Sequence, residues 1–243
     1  MPAAEAEIAR ARILELAPDG FEEVDHSNEI ELAVYADEHG EAALRAAFEV
    51  VSSSEIEPGW DERWREFHRP VEAGGLWIGP PWEEMPPDAT GVVIDPGRAF
   101  GTGAHPTTRA CVELLAAEER GSVLDAGCGS GVLAVAAVRL GFGPVVAVDL
   151  DPAAVACTRD NADRNGVVLD SRLADVLRDE LPASDVVVAN IELVTVETLL
   201  PRLPARRAIT SGYLANEAPT ALGWDVRNGI ELDGWAAHVL EAS

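Results

Sequence analysis

The sequence predicts an α/β protein: a seven-stranded, mostly parallel sheet with helices on both faces, preceded by a small N-terminal α+β domain, ferredoxin-like and missing its first strand. Two observations carry this. Short apolar runs alternate with helix-length segments from residue 89 onward, and the first of them ends in a glycine-rich turn. Ahead of residue 57 the order reads helix, strand, strand, helix, strand. The expected layout is therefore a small domain over 1–57, a connector over 58–88 and the main domain over 89–243.

In order, residues 4–17 place Ile8, Ala11, Ile13, Leu14 and Ala17 at mostly helical spacing until Pro18, Asp19 and Gly20 end the pattern. Residues 21–24 and 30–35 read as strands around a His26-Ser27-Asn28 turn, 41–48 as a helix and 50–56 as a strand. Residues 58–87 are rich in Pro, Gly and Trp. There Trp60 and Trp64 lie one helical turn apart, and Pro70, Pro80, Pro81, Pro86 and Pro87 break regular structure, as a connector would.

Residues 92–94 read as a brief strand and the stretch to Gly103 as a loop. Thr107 or Thr108 is placed to N-cap the helix that carries Cys111, Leu114 and Leu115. The next unit, from Val123 to Asp151, is strand, turn, helix, strand. Asp125 closes its first strand, Gly127, Gly129 and Gly131 form its turn, and Asp149 ends its second strand. Glycine lets a backbone approach a ligand closely, and an acid at that tip can accept both hydroxyls of a ribose. The dinucleotide spacing G-x-G-x-x-G fails, because Val132 stands where its third glycine belongs. The last apolar runs, 208–210, 224–226 and 236–240, complete the sheet with an antiparallel hairpin.

Composition narrows the function. The formal charge is −25, the isoelectric point about 4.4, and all 18 basic residues are arginine. Such a surface repels nucleic acid and attracts a basic partner. Mean hydropathy is +0.03, and neither a membrane span nor a leader is expected, which points to a cytoplasmic protein. The three cysteines show no C-x-x-C pairing and the five histidines are scattered, so no metal site is expected.

The run D-P-G-x-A-F-G-T-G-x-H-P-T-T, from Asp95 to Thr108, resembles the signature of the PrmA-type methyltransferases, which modify ribosomal protein L11. The D-x-G-x-G-x-G turn resembles the first cofactor motif of S-adenosylmethionine-dependent methyltransferases. V-D-L-D-P at Val148 to Pro152, R-D-N-A-x-R-N-G at Arg159 to Gly166 and D-V-V-V-A-N-I at Asp185 to Ile191 resemble further motifs of the family. The resemblance implies a Rossmann-like class I methyltransferase domain and a protein lysine or N-terminal amine as methyl acceptor; the chain is expected to be a monomer. It implies that Asp125, Gly127, Gly129 and Gly131 border the cofactor, that Asp149 takes its ribose hydroxyls and that Asp175 sits near the adenine. Phe100, Thr107 and Thr108 would close over the ligand, and Asn190 would both border the cofactor and orient the acceptor amine. His105 reads as holding its turn, with a general base as the other reading. Against the family pattern stand the missing first strand, Glu192-Leu193 after the N-I motif, and LPRLPARRAI in place of a P-G-G turn. Another protein lysine or a small amine as acceptor, a non-catalytic cofactor-binding assembly module and a nicotinamide enzyme are the alternatives.

Overall fold

The computed structural model describes residues 9, 13, 22–26, 29–34, 38–48, 52–53, 69–95 and 103–243, and the chain divides into two compact units, Met1–Trp60 and Asp61–Ser243. In the first unit, β1 (Glu22–His26) and β2 (Glu29–Ala33) pair antiparallel from Glu22 against Ala33 to His26 against Glu29. Helix α1 (Glu38–Ala47) follows, with Leu44 buried. Ile13 is helical and buried, as the spacing over 4–17 requires, and so is Ala9, which that spacing did not include. The rest of that helix, nearly all of the strand expected over 50–56, and the Trp60 and Trp64 pair lie outside the described residues.

Residues 58–88 are not all connector. Between Pro70 and Pro80, β3 (Val71–Ala73) and β4 (Leu76–Gly79) form a hairpin whose turn is Gly74-Gly75. Strand β5 (Gly91–Val93), one residue earlier than expected, pairs parallel with β4 and completes a three-stranded sheet. The prolines bound these strands without interrupting them. Leu76, Trp77 and Ile78 are all buried, so the hairpin is part of the core.

The main sheet has seven strands in the order β11, β12, β10, β9, β6, β7, β8. These are β6 (Val123–Ala126), β7 (Val145–Asp149), β8 (Asp170–Leu173), β9 (Ser184–Asn190), β10 (Ala205–Leu214), β11 (Trp224–Leu232) and β12 (Trp235–Ala242). Strands β8, β7, β6, β9 and β10 run parallel, and β12 pairs antiparallel with both β10 and β11, as the alternation predicts. Period-two alternation sorts the side chains: Val186 and Val188 enter one core layer with α2 (Pro106–Ala117) and α3 (Val132–Arg139), and Val187 and Ala189 enter the other with α5 (Leu193–Leu199). The chain steps outward from β6 through β7 to β8, then returns to lay β9 on the other side of β6. That reversal opens a crevice at the carboxyl ends of β6 and β9.

Two buried polar groups hold the crevice walls. Helix α4 (Pro152–Asn165) turns Asn161 and Asn165 inward, toward the strand after β4. Asn165 exchanges two hydrogen bonds with the Val93 backbone (2.8 and 2.7 Å), and Asn161 exchanges two with that of Asp95 (both 3.0 Å). The two side chains thus give this strand the ladder partners that a neighbouring strand would supply. Asn161 also donates to the Ser130 carbonyl at 2.9 Å, tying the glycine turn to the same helix. The other group is Asp125, 1% exposed. Its Oδ2 accepts from the Ala134 amide in the first turn of α3 at 2.9 Å, and its Oδ1 has no partner among the described residues. Burial pushes its pKa up to about 7, against the Ala134 hydrogen bond, with the charge of Asp149 adding to the rise.

Two predictions follow from these groups. Asn161→Ala removes this side chain's hydrogen bonds with the Asp95 amide and with the Asp95 and Ser130 carbonyls and should cost about 3 kcal/mol in urea unfolding at pH 7, whereas a loss below about 1 kcal/mol would contradict the ladder. The folded pKa of Asp125, about 7, lies above its unfolded value near 3.9, so its contribution to stability is complete below about pH 4 and is lost as the pH rises through 7. Wild type should therefore lose about 2–3 kcal/mol relative to Asp125→Asn between pH 5 and 8, and parallel curves would contradict the burial of an ionisable group there.

Candidate functional site

The crevice holds an open cavity of about 470 Å³, within the usual range for a small-molecule site. The glycine turn makes its floor. The Gly127 and Cys128 amides donate to the Val148 carbonyl at 2.9 and 3.0 Å, and the Gly129 amide donates to Asp149 Oδ2 at 2.9 Å. Gly127 has φ +82°, and a Cβ there would stand 2.7 Å from Ile191 Cγ2, so this position needs glycine for both conformation and space. Gly131, φ +80°, is the N-cap of α3, and a Cβ there would press on Thr158 at 2.8 Å.

Six of the expected residues line this cavity: Thr108, Gly127, Gly129, Asp149, Asp175 and Asn190. Asp149 ends β7, and each carboxylate oxygen already accepts one backbone N–H, from Gly129 and from Asp151 (2.9 Å each). A carboxylate oxygen has a second lone pair, so both remain able to accept a hydroxyl, and the two backbone bonds fix the direction in which they do so. Asp175 caps a turn through the Leu177 amide (2.9 Å), meets Arg178 at 3.4 Å and also lines the cavity.

At the opposite end, Asn190 Nδ2 donates to Thr107 Oγ1 (3.1 Å) and Thr108 Oγ1 (3.3 Å). Neither threonine caps α2, contrary to expectation. The N-cap is His105, whose ring accepts weakly from the Thr107 amide at 3.4 Å, and Pro106 takes the first helical position, where a missing N–H costs nothing. His105 Nδ1 lies 2.7 Å from Thr107 Oγ1, and its ring meets Trp235 edge-on at 4.9 Å. The ring thus holds the turn, as the sequence suggested.

Three expected residues support the cavity without lining it: Asp125 lies buried beneath the turn, Gly131 starts α3, and Thr107 stands behind Asn190. Phe100 lies outside the described residues. Sequence reasoning did not single out Leu150, Ala174, Val176, Leu177 and Thr195, which supply much of the cavity's wall. Leu150 carried a signal, an apolar side chain directly after the strand-end acid, and it is 69% exposed at the rim.

The arrangement suits a nucleoside joined to a polar chain. Glycine backbone, the Asp149 carboxylate, apolar side chains with Asp175, and the Asn190 amide all border the one cavity, where they could take a polar chain, a ribose diol, a base and an acceptor respectively. These are the groups that S-adenosylmethionine requires, and the bare Gly127 surface leaves the room that its close approach needs.

The family described as "Ribosomal protein L11 methyltransferase (PrmA)" matches residues 20–239. A ribosomal protein L11 methyltransferase from Edwardsiella ictaluri is 42% identical over 199 residues, covering 76% of this chain and 67% of that protein. One from Pseudomonas paraeruginosa is 37% identical over 229 residues (84% and 78%), and one from Vibrio parahaemolyticus is 46% identical over 190 (72% and 62%). The chain thus spans about two thirds of the length of the curated relatives it matches. Among solved structures, a ribosomal protein L11 methylase from Lactobacillus delbrueckii subsp. bulgaricus superposes with a TM-score of 0.64 at 28% identity, over 72% of this chain and all of that one. On a family match that runs over nearly its whole length, this chain belongs to the ribosomal protein L11 methyltransferase (PrmA) family.

Proposed function

We propose that this chain transfers methyl groups from S-adenosylmethionine to lysine or N-terminal amines of ribosomal protein L11, and that it does so in the cytoplasm as a monomer. The observation that carries the reading is the meeting, in one cavity, of the Gly127 to Gly129 backbone, the Asp149 carboxylate and the Asn190 amide. Relatives that bear the same name support the substrate, and a net charge of −25 suits a basic ribosomal protein. Residues 1–57 are the part proposed to grip that protein, and residues 89–243, with the β3–β4 hairpin packed into their core, the part that carries out transfer.

When bound, the cofactor supplies an electrophilic methyl group on a sulfonium. The chain's own residues do the rest. Gly127 and Gly129 let the backbone close on the methionine portion, Asp149 accepts the ribose hydroxyls, and Asp175 with Leu150 borders the base. Asn190 holds the acceptor nitrogen in line, and alignment of this kind lowers a displacement barrier by several kcal/mol. An amine must shed its proton first, since its ordinary pKa is near 10.4. A desolvated pocket favours the neutral form, so no strong base is needed and none is assigned.

Incubated with labelled S-adenosylmethionine and purified ribosomal protein L11, the wild type should label that protein. Label appearing only on another protein of a lysate, or on a small amine, would redirect the substrate. Asp149→Ala should weaken S-adenosylhomocysteine binding by at least about tenfold in calorimetry, because hydrogen bonds to a charged acceptor are lost. Unchanged affinity would remove the ribose from that carboxylate. Asn190→Ala should lower kcat about a hundredfold while cofactor affinity moves by less than about threefold, and the reverse pattern would make Asn190 a cofactor ligand only.

A further inference from the structure

We propose that His105 is a positioning residue of the methyl-transfer site: acting through Thr107, it fixes which end of the Asn190 side-chain amide faces the acceptor amine. Its last step rests on the methyl-transfer reading above, while the hydrogen-bond chain itself does not.

The Thr107 backbone N–H, which can only donate, points at His105 Nδ1 at 3.4 Å and makes that nitrogen an acceptor, so the Thr107 hydroxyl, 2.7 Å from the same nitrogen, is the donor of that pair. A ring nitrogen that receives donors carries no proton, so the neutral ring holds its proton on Nε2. Burial lowers the pKa of His105, which keeps the ring neutral at pH 7. With its hydrogen committed to the ring, the Thr107 oxygen is left as an acceptor toward Asn190. It accepts from Asn190 Nδ2 at 3.1 Å, and Thr108 Oγ1 takes the second hydrogen of the same amide at 3.3 Å. Both donors of the Asn190 amide are thereby used on α2. Its Oδ1 has no partner among the described residues, and it is the end left for a ligand.

The orientation matters chemically. An amine attacks through its lone pair, and its N–H groups are the part that can be held. A carbonyl oxygen accepts one of those N–H groups and leaves the lone pair for the methyl carbon. An amide turned the other way would donate to the lone pair and occupy the electrons that must form the new bond. The His105, Thr107, Asn190 order therefore selects the productive hand of the amide, and the edge-on packing of Trp235, at 4.9 Å, holds the ring that begins it. On the elements packed around the ring, Arg109 of α2 pairs with Asp233, in the turn between β11 and β12, at 3.6 Å.

The test uses the full chain. Nitrogen NMR of histidine-labelled protein at pH 7.5 should show His105 protonated on Nε2, and a ring protonated on Nδ1 would overturn the proposal whether or not any methyl is transferred. In single-turnover assays with ribosomal protein L11, His105→Ala and Thr107→Val should each lower the methyl-transfer rate about tenfold with S-adenosylhomocysteine affinity unchanged. The double variant should lose no more than either single one, because one chain is broken in each case. His105→Asn, whose side-chain oxygen takes the place of Nδ1 and also caps a helix, should recover most of the rate. Additive losses, or an Asn variant that folds yet is as slow as the Ala one, would overturn the assignment. A wild type that binds S-adenosylhomocysteine but methylates no amine would defeat the methyl-transfer reading instead, and the ring's tautomer would still decide the chain.

Discussion

The first half of the turn between β6 and α3 is held from the end of β7. The Val148 carbonyl takes the Gly127 and Cys128 amides, and the next residue, Asp149, takes the Gly129 amide on its side chain. Two neighbouring residues of one strand therefore set the course of the turn on the next. The acid proposed to hold a ribose is also the anchor of the loop that would border the rest of the same ligand. Its direction is settled before any ligand arrives, which reduces the ordering cost of binding.

The support around that turn is polar and buried, an arrangement that costs stability unless each group finds a partner. Asn161 finds three, and in doing so joins β5's extension, α4 and the turn. Asp125 finds one partner for two oxygens and rises in pKa instead, so the base of the site contains a carboxyl poised between charge states near neutrality. Such groups are expected where geometry is held for a ligand at the expense of fold stability.

What was legible in the sequence was local in it. The glycine turn, the Asp149 tip and the N-I motif are contiguous runs whose chemistry can be read residue by residue, and most strands of the main sheet followed from apolar runs, the polar β8 being the exception. The hairpin of β3 and β4 was hidden because Pro70 and Pro80 bound it so closely that the whole stretch, rich in Pro, Gly and Trp, read as a connector. Its burial depends on contact with α2, distant in sequence. Asn161 and Asn165 sit one turn apart on a polar helix and look solvated; only the position of β5 shows that they complete a ladder. The N-cap went to His105 and not to a threonine because Pro106 fits the first helical position, and the two threonines were then left to face Asn190.

The central claim is that one carboxylate both locks the glycine turn and receives the cofactor's sugar. A crystal structure of the chain with S-adenosylhomocysteine tests it directly. Both ribose hydroxyls should lie within hydrogen-bonding distance of the Asp149 oxygens, with the Gly129 amide still bound to Oδ2. A sugar seated elsewhere, or an Asp149 that releases Gly129 to bind it, would contradict the account.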